Sequence, residues 1–223
     1  MSRKALIFGS IGTLVETSQM QLDAFNQAFV EADLDWVWTR QIYIPMLAQS
    51  GGRKRIQAYA DDRQEEVDAR ALHERKTEIF DQMMMEKGLC LRPGVLPLIR
   101  YGKDNGMQLG FATTTSRHNI MSMFEALEGA LHRSTFDFVG DVDQVNAPKP
   151  APEIYERAMS AFNLTAAECL AIEDTPIAMK AALDAGIECV GFPNAFSNPA
   201  EFKGALHVVD TVDPKGLPEL AET

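Results

Sequence analysis

Residues 5–14 read Ala5-Leu6-Ile7-Phe8-Gly9-Ser10-Ile11-Gly12-Thr13-Leu14, and this stretch decides the fold. Four consecutive apolar residues make a strand buried on both faces, and Gly12 marks a sharp turn directly after it. In parallel α/β folds ligands gather at the carboxyl ends of the strands, so residues 9–13 lie where chemistry is done. Gly9 has no side chain and Ile11 has only an apolar one. Neither can attack, donate a proton or ligate a metal through its side chain.

Working outward, further apolar runs fall at 108–112, 136–139, 169–172, 188–191 and 207–209. Segments 93–105, 117–129, 152–163 and 176–185 lie between or beside them with helical apolar spacing. Pro93, Pro152 and Pro176 suit first helical turns, where a missing N–H costs nothing. Such alternation predicts a Rossmann-like α/β core: a parallel sheet with helices on both faces, built from residues 1–14 and 89–223. Residues 15–88 break the pattern. They hold helical segments at 20–32 and 62–86 and no strand, which predicts a helical insertion after the first strand. Within it, Leu34-Asp35-Trp36-Val37-Trp38 forms an aromatic hinge or packing corner.

A chain of 223 residues accommodates one domain with a large insertion or two small domains. Its net charge of -11 repels nucleic acid and anionic membrane surfaces, so neither is an expected partner. The run after Met1-Ser2-Arg3-Lys4 is too short for a signal peptide, and no later run reaches membrane-spanning length. Cys90, Cys169 and Cys189 form no C-x-x-C pair and read as buried thiols of a reducing cytoplasm.

Three motifs follow at strand ends. Thr113-Thr114-Thr115-Ser116 offers hydroxyls and backbone N–H groups to a phosphate, or caps the next helix. In Ala147-Pro148-Lys149-Pro150-Ala151-Pro152-Glu153-Ile154-Tyr155, prolines hold a lysine rigidly enough to neutralise a phosphoryl oxygen. Glu173-Asp174-Thr175-Pro176 places two carboxylates at a helix entrance, where they can ligate Mg²⁺ or, for Asp174, cap the helix.

The order and spacing of these motifs resemble the haloacid dehalogenase superfamily, whose members open on a strand followed by D-x-D-G-T-L. The resemblance covers nearly the whole chain. It implies that Thr113 and Lys149 serve catalysis, that Gly12, Thr13, Thr113, Thr114 and Lys149 cradle phosphate, and that Glu173 and Asp174 bind the metal. It makes residues 15–88 a cap domain. Gly9 and Ile11 stand where the family has its nucleophile and its acid/base aspartate. A closer likeness, carried by Glu16-Thr17, Ala24-Phe25-Asn26, residues 34–38 and Gly51-Gly52-Arg53-Lys54-Arg55-Ile56, is to CbbY-type sugar-phosphate phosphatases, cousins of β-phosphoglucomutase. That likeness implies that Gly51, Gly52, Arg53, Lys54 and Arg55 meet the distal end of the substrate. Gln21 stands where the group has a histidine.

Phosphate-monoester hydrolysis can need acceleration of up to ~10²¹. A hydrolase stripped of its reactive groups keeps roughly 10³–10⁴. The expectation is therefore a phosphate or sugar-phosphate receptor, catalytically degenerate, with weak or no need for Mg²⁺. The alternative is an active Mg²⁺-dependent hydrolase with rebuilt chemistry on Asp174, Glu173 or Glu16. A structural subunit without ligand is the third class.

Overall fold

Strand β1 (Ala5–Phe8) is buried along its whole length. Its side chains alternate between two cores, Leu6 and Phe8 joining one and Ala5 and Ile7 the other. The computed structural model describes residues 3–49, 51–127 and 129–220; Met1, Ser2 and Glu128, which entered the readings above, lie outside them. Strands β2 (Gln108–Ala112), β3 (Phe138–Gly140), β4 (Cys169–Glu173) and β5 (Glu188–Gly191) complete a sheet in the order β3-β2-β1-β4-β5. Every pair is parallel. Phe8 is level with Phe111 on one side and Ile172 on the other, so residues 9, 112 and 173 reach the same edge together.

The helices are α1 (Ile11–Leu14), α2 (Ser18–Glu31), α3 (Arg40–Met46), α4 (Gly52–Arg63), α5 (Ala69–Lys87), α6 (Val95–Asp104), α7 (Arg117–Ala126), α8 (Glu153–Phe162) and α9 (Pro176–Asp184). Val95, Leu98 and Ile99 of α6 join Ile120, Met123 and Phe124 of α7 over the Leu6–Phe8 face. Ile154, Tyr155 and Ala158 of α8 join Met179, Ala181 and Ala182 of α9 over the other. This is the layered Rossmann-like α/β arrangement that the alternation predicts.

Several expectations need correction. Residues 207–209 make no strand: pairing with β5 stops at one isolated bridge from Val208 to Gly191, His207 and the 43% exposed Val208 face outward, and of the three only Val209 packs against the core. β3 starts after residue 136 because Phe136 turns into the core, with its ring 6.1 Å from Phe8 and 5.7 Å from Phe111. Of those three prolines, only Pro176 occupies a first helical turn; Pro152 precedes α8, and Pro93 precedes Gly94, which caps α6 at positive φ. Cys90 is exposed, while Cys169 and Cys189 are buried; all three are free thiols.

The chain divides into two compact units, Met1–Glu16 with Leu89–Thr223, and Thr17–Gly88. Val15 belongs with the α/β unit rather than the insertion because it bridges Leu91 and packs in the same core cluster as Leu6. In the helical unit, the expected helix at 62–86 is broken. Gln64 ends α4 in the left-handed conformation, and Asp68 opens α5 by accepting from the amides of Arg70 and Ala71 at 3.0 Å. Such a cap starts a new helix rather than continuing an old one. The aromatic corner is a packing corner. Trp38 lies 4.9 Å from Phe25 and 4.8 Å from Phe29 between ring centroids, and the Asn26 side chain brackets its backbone from both sides. No helix among the described residues is long and apolar enough to cross a membrane.

Candidate functional site

Gly9 follows β1 directly, and its N–H donates to the Ile172 carbonyl at 2.9 Å. A β-carbon at this position would stand 2.1 Å from both Cδ and Oε1 of Glu173, so the Glu173 carboxylate fills the space a side chain would take. Glu173 is fully buried. Lys149 Nζ donates to its Oε1 at 2.5 Å, Tyr155 Oη donates to the same oxygen at 2.6 Å, and Ser10 Oγ donates to Oε2 at 3.2 Å. The Lys149 side chain is itself only 7% exposed. A charged pair this deep is held by Coulomb attraction together with hydrogen bonds that satisfy the remaining lone pairs. Burial, and next the charge of Glu173, push the Tyr155 hydroxyl well above its ordinary range, which keeps it a donor.

Asp174 builds the adjoining half. A β-carbon on Gly12 would lie 2.1 Å from its Oδ2, which accepts from Asn194 Nδ2 at 2.7 Å. Thr13 Oγ1 donates to Oδ1 at 3.4 Å. Burial, then the neighbouring Glu173 charge, raise the Asp174 carboxyl above the usual carboxylate range. Asp174 does not cap α9; the Thr175 side chain does, accepting from the Ala178 amide.

Among the hydroxyls, Ser116 caps α7, accepting from the Asn119 amide at 3.2 Å. Thr113 is buried at the end of β2 and accepts from the Thr115 amide at 3.2 Å, while Thr114 is half-buried. Ile11 packs its side chain against the core cluster. Glu16 accepts from the Ala195 amide at 2.8 Å and so ties down the 194–197 turn. Arg92 is a part of the site that sequence patterns leave unmarked. Its guanidinium donates to the carbonyls of Gly12, Phe192 and Pro193 at 2.6–2.9 Å and lies 3.4 Å from the Phe192 ring centroid.

The residues present do not fit a resident Mg²⁺. That ion needs a near-octahedral set of oxygens, with carboxylate oxygens free to coordinate it. All four carboxylate oxygens of Glu173 and Asp174 accept from protein donors. Among the described residues no group of three His, Cys, Asp or Glu could hold a metal ion. The Lys149 ammonium supplies the positive charge beside Glu173.

In the helical unit, Gly51, Gly52, Arg53, Lys54 and Arg55 open α4. Arg53 and Lys54 are exposed. Arg55 turns inward, donating to the carbonyls of Met46 and Gln49 and lying 5.3 Å from the Tyr43 ring centroid. Gly52 sits where a β-carbon would be 2.6 Å from the His73 ring. Gln21 accepts from the ammonium of Lys76, which is buried between the rings of Phe25 and Phe80. Lys76 shows no motif; its one sequence signal is its place on the apolar stripe of α5, with Leu72, Ile79 and Phe80.

Burial, and then the charge of Arg55, pull the Lys76 ammonium down to about 7 from its ordinary 10.5. Between those values the unfolded chain holds more protons than the folded one, so stability rises with pH. The wild type is expected to gain on Lys76→Met by up to about 1.4 kcal/mol per pH unit from about pH 7 to pH 9. Urea melts across that window measure it. Parallel curves for the two proteins would mean that the folded state leaves the ammonium hydrated.

Residues 7–192 match the model of the haloacid dehalogenase-like hydrolase family, and the chain belongs to that family. Within it the chain is a homologue of the CbbY proteins. It is 36% identical to the plasmid-encoded CbbY of Cupriavidus necator, over 95% of this chain and 88% of that protein. To CbbY of Cereibacter sphaeroides it is 34% identical, over 93% and 92%. Its fold superimposes on the crystal structure of CbbY from Rhodobacter sphaeroides in complex with phosphate with a TM-score of 0.87, at 33% identity over 98% of this chain and 99% of that one. The same values hold for a mutant of that protein in complex with xylulose-(1,5)bisphosphate. A β-phosphoglucomutase from Clostridium difficile shares the fold at a TM-score of 0.80 and 19% identity, over 99% and 96%.

Proposed function

We propose that this CbbY-type protein binds phosphate or a sugar phosphate and does not hydrolyse it by the family route. The observation that carries the reading is position 9. Where the resemblance places an attacking aspartate, the chain has Gly9, and the space beside it is filled by the Glu173 carboxylate. Ile11, at the position of the acid/base, turns its side chain to the core.

Phosphate contacts fall to the amide of Gly12, the hydroxyls of Thr113 and Thr114, and the Lys149 ammonium; the Thr13 amide, expected among them, already donates to the Ser10 carbonyl at 3.0 Å. By the resemblance the unit Thr17–Gly88 serves as the cap, and Gln21, Gly51, Gly52, Arg53 and Lys54 are its candidate substrate-recognition residues. Arg55 is occupied with carbonyls of its own unit and acts on that surface only by holding α4 in place. The phosphate and xylulose-(1,5)bisphosphate complexes of the Rhodobacter protein support a phosphorylated small molecule as ligand. The free thiols suit a reducing cytoplasm. Mg²⁺ is not required for binding, because Lys149 rather than a metal ion neutralises the buried carboxylate. A rebuilt hydrolase is the weaker reading: Glu16, the nearest substitute acid in sequence, is bonded to the Ala195 amide.

The test is phosphate release from a sugar-phosphate panel with Mg²⁺, paired with calorimetric titration of inorganic phosphate in chelator. Saturable binding without turnover is expected. Turnover that is lost in Asp174→Ala, or no saturable binding at millimolar phosphate, overturns the reading.

A further inference from the structure

We infer that Glu173 is a built-in anion of this pocket, competing with the ligand for Lys149, and that Gly9 is the residue that admits it. The inference rests on the phosphate-binding reading above and concerns how that binding is controlled.

Lys149 is the one cation in the hydrogen-bonded group formed by Ser10, Lys149, Tyr155 and Glu173, and its ammonium already has the Glu173 carboxylate at 2.5 Å. Tyr155 and Ser10 fasten the same carboxylate, one hydrogen bond to each oxygen. This side-chain position exists because residue 9 is glycine. A β-carbon there would come within 2.4 Å of both carboxylate oxygens and 2.1 Å of Cδ, closer than any non-bonded carbon can stand. The clashing atoms are the far end of a flexible side chain, so a larger residue at 9 turns Glu173 away rather than disrupting the sheet.

A phosphate arriving at Lys149 therefore meets a second anion at short range inside a low-dielectric site, where like charges repel strongly. It binds only as Glu173 yields. Apparent affinity is lowered by the fraction of molecules in which the carboxylate has moved aside. Gly9 thereby sets ligand affinity and acts as a specificity-determining position, although it has no side chain to touch the ligand.

Two substitutions act on this contact from opposite ends. Glu173→Gln keeps the shape and an acceptor for Tyr155 while removing the charge. Gly9→Ala keeps the charge and pushes it out of place. Calorimetric titration of the full-length wild type and both variants with inorganic phosphate, in chelator at fixed ionic strength, reads the effect, and circular dichroism confirms folding. Both folded variants are expected to bind phosphate at least ~10-fold more tightly than wild type. If Glu173→Gln fails to fold, with Lys149 left unpaired, Gly9→Ala decides alone. Wild-type binding that neither variant improves overturns the inference and leaves the phosphate-binding reading standing. No saturable binding by any of the three overturns both.

Discussion

Aspartates introduced together at positions 9 and 11 are expected to raise magnesium-dependent phosphate release at least ~10³-fold above wild type. Losing a nucleophile or base costs other hydrolases roughly 10⁴–10⁶ in turnover, so returning both should recover much of that range. The rest of the edge is in place: Thr113 is buried directly after β2, Lys149 is buried in the loop that leads into α8, and Glu173 and Asp174 lie side by side. An aspartate at 9 puts its β-carbon into the Glu173 carboxylate, so Glu173 must swing out and release Lys149. Three carboxylates, at 9, 173 and 174, then share one sheet edge, which is the donor set a hard divalent cation needs. Gly9→Asp alone lacks the proton donor and should gain far less; Ile11→Asp alone lacks the nucleophile. Phosphate release from sugar phosphates that include xylulose-(1,5)bisphosphate, with and without Mg²⁺, measures all four proteins. A folded, phosphate-binding double variant with wild-type turnover would show that catalysis was lost at more than these two positions.

Lys149→Met is expected to destabilise the protein by about 3–5 kcal/mol, the usual cost of breaking a buried pair from one side. For a chain of this size that corresponds to a fall in Tm of roughly 6–20 °C. The variant leaves Glu173 with full burial and only the Tyr155 and Ser10 hydroxyls to answer its charge. Adding Glu173→Gln should return most of the loss, since a neutral amide still accepts from the Tyr155 hydroxyl through its oxygen and donates to Ser10 Oγ through its nitrogen. Guanidinium melts of the wild type, both single variants and the double variant, in phosphate-free buffer with chelator, give the coupling energy. A Lys149→Met cost under about 1 kcal/mol would place the pair in water rather than in the interior.

Much of the fold is legible without coordinates. β1, β2 and β5 run over the residues their apolar runs mark, because strands buried on both faces read as unbroken hydrophobic stretches. The run at 207–209 misleads because its composition suits a strand, while its pairing with β5 is a single bridge and Val208 stays exposed. The break between α4 and α5 is hidden because Gln64 adopts a left-handed conformation without being glycine, and Asp68 is one acid among many until its side chain caps α5.

At the candidate site, the residues that reach the sheet edge follow from the sequence, since each closes an apolar run or opens a helix. So does the lack of a carboxylate at 9 and 11. The partner each residue takes does not follow. Lys149 and Glu173 are both able to hold phosphate, a metal ion or each other, and only the space over Gly9 settles that they hold each other. The inward turn of Arg55 and the burial of Lys76 depend in the same way on the aromatic rings packed around them. Sequence by itself determined the alternation, the parallel sheet and the composition of its carboxyl edge, because these are properties of local pattern. Tertiary structure alone decided the charge pairing, because a side chain's rotamer answers to neighbours more than a hundred residues away and to the volume they leave free.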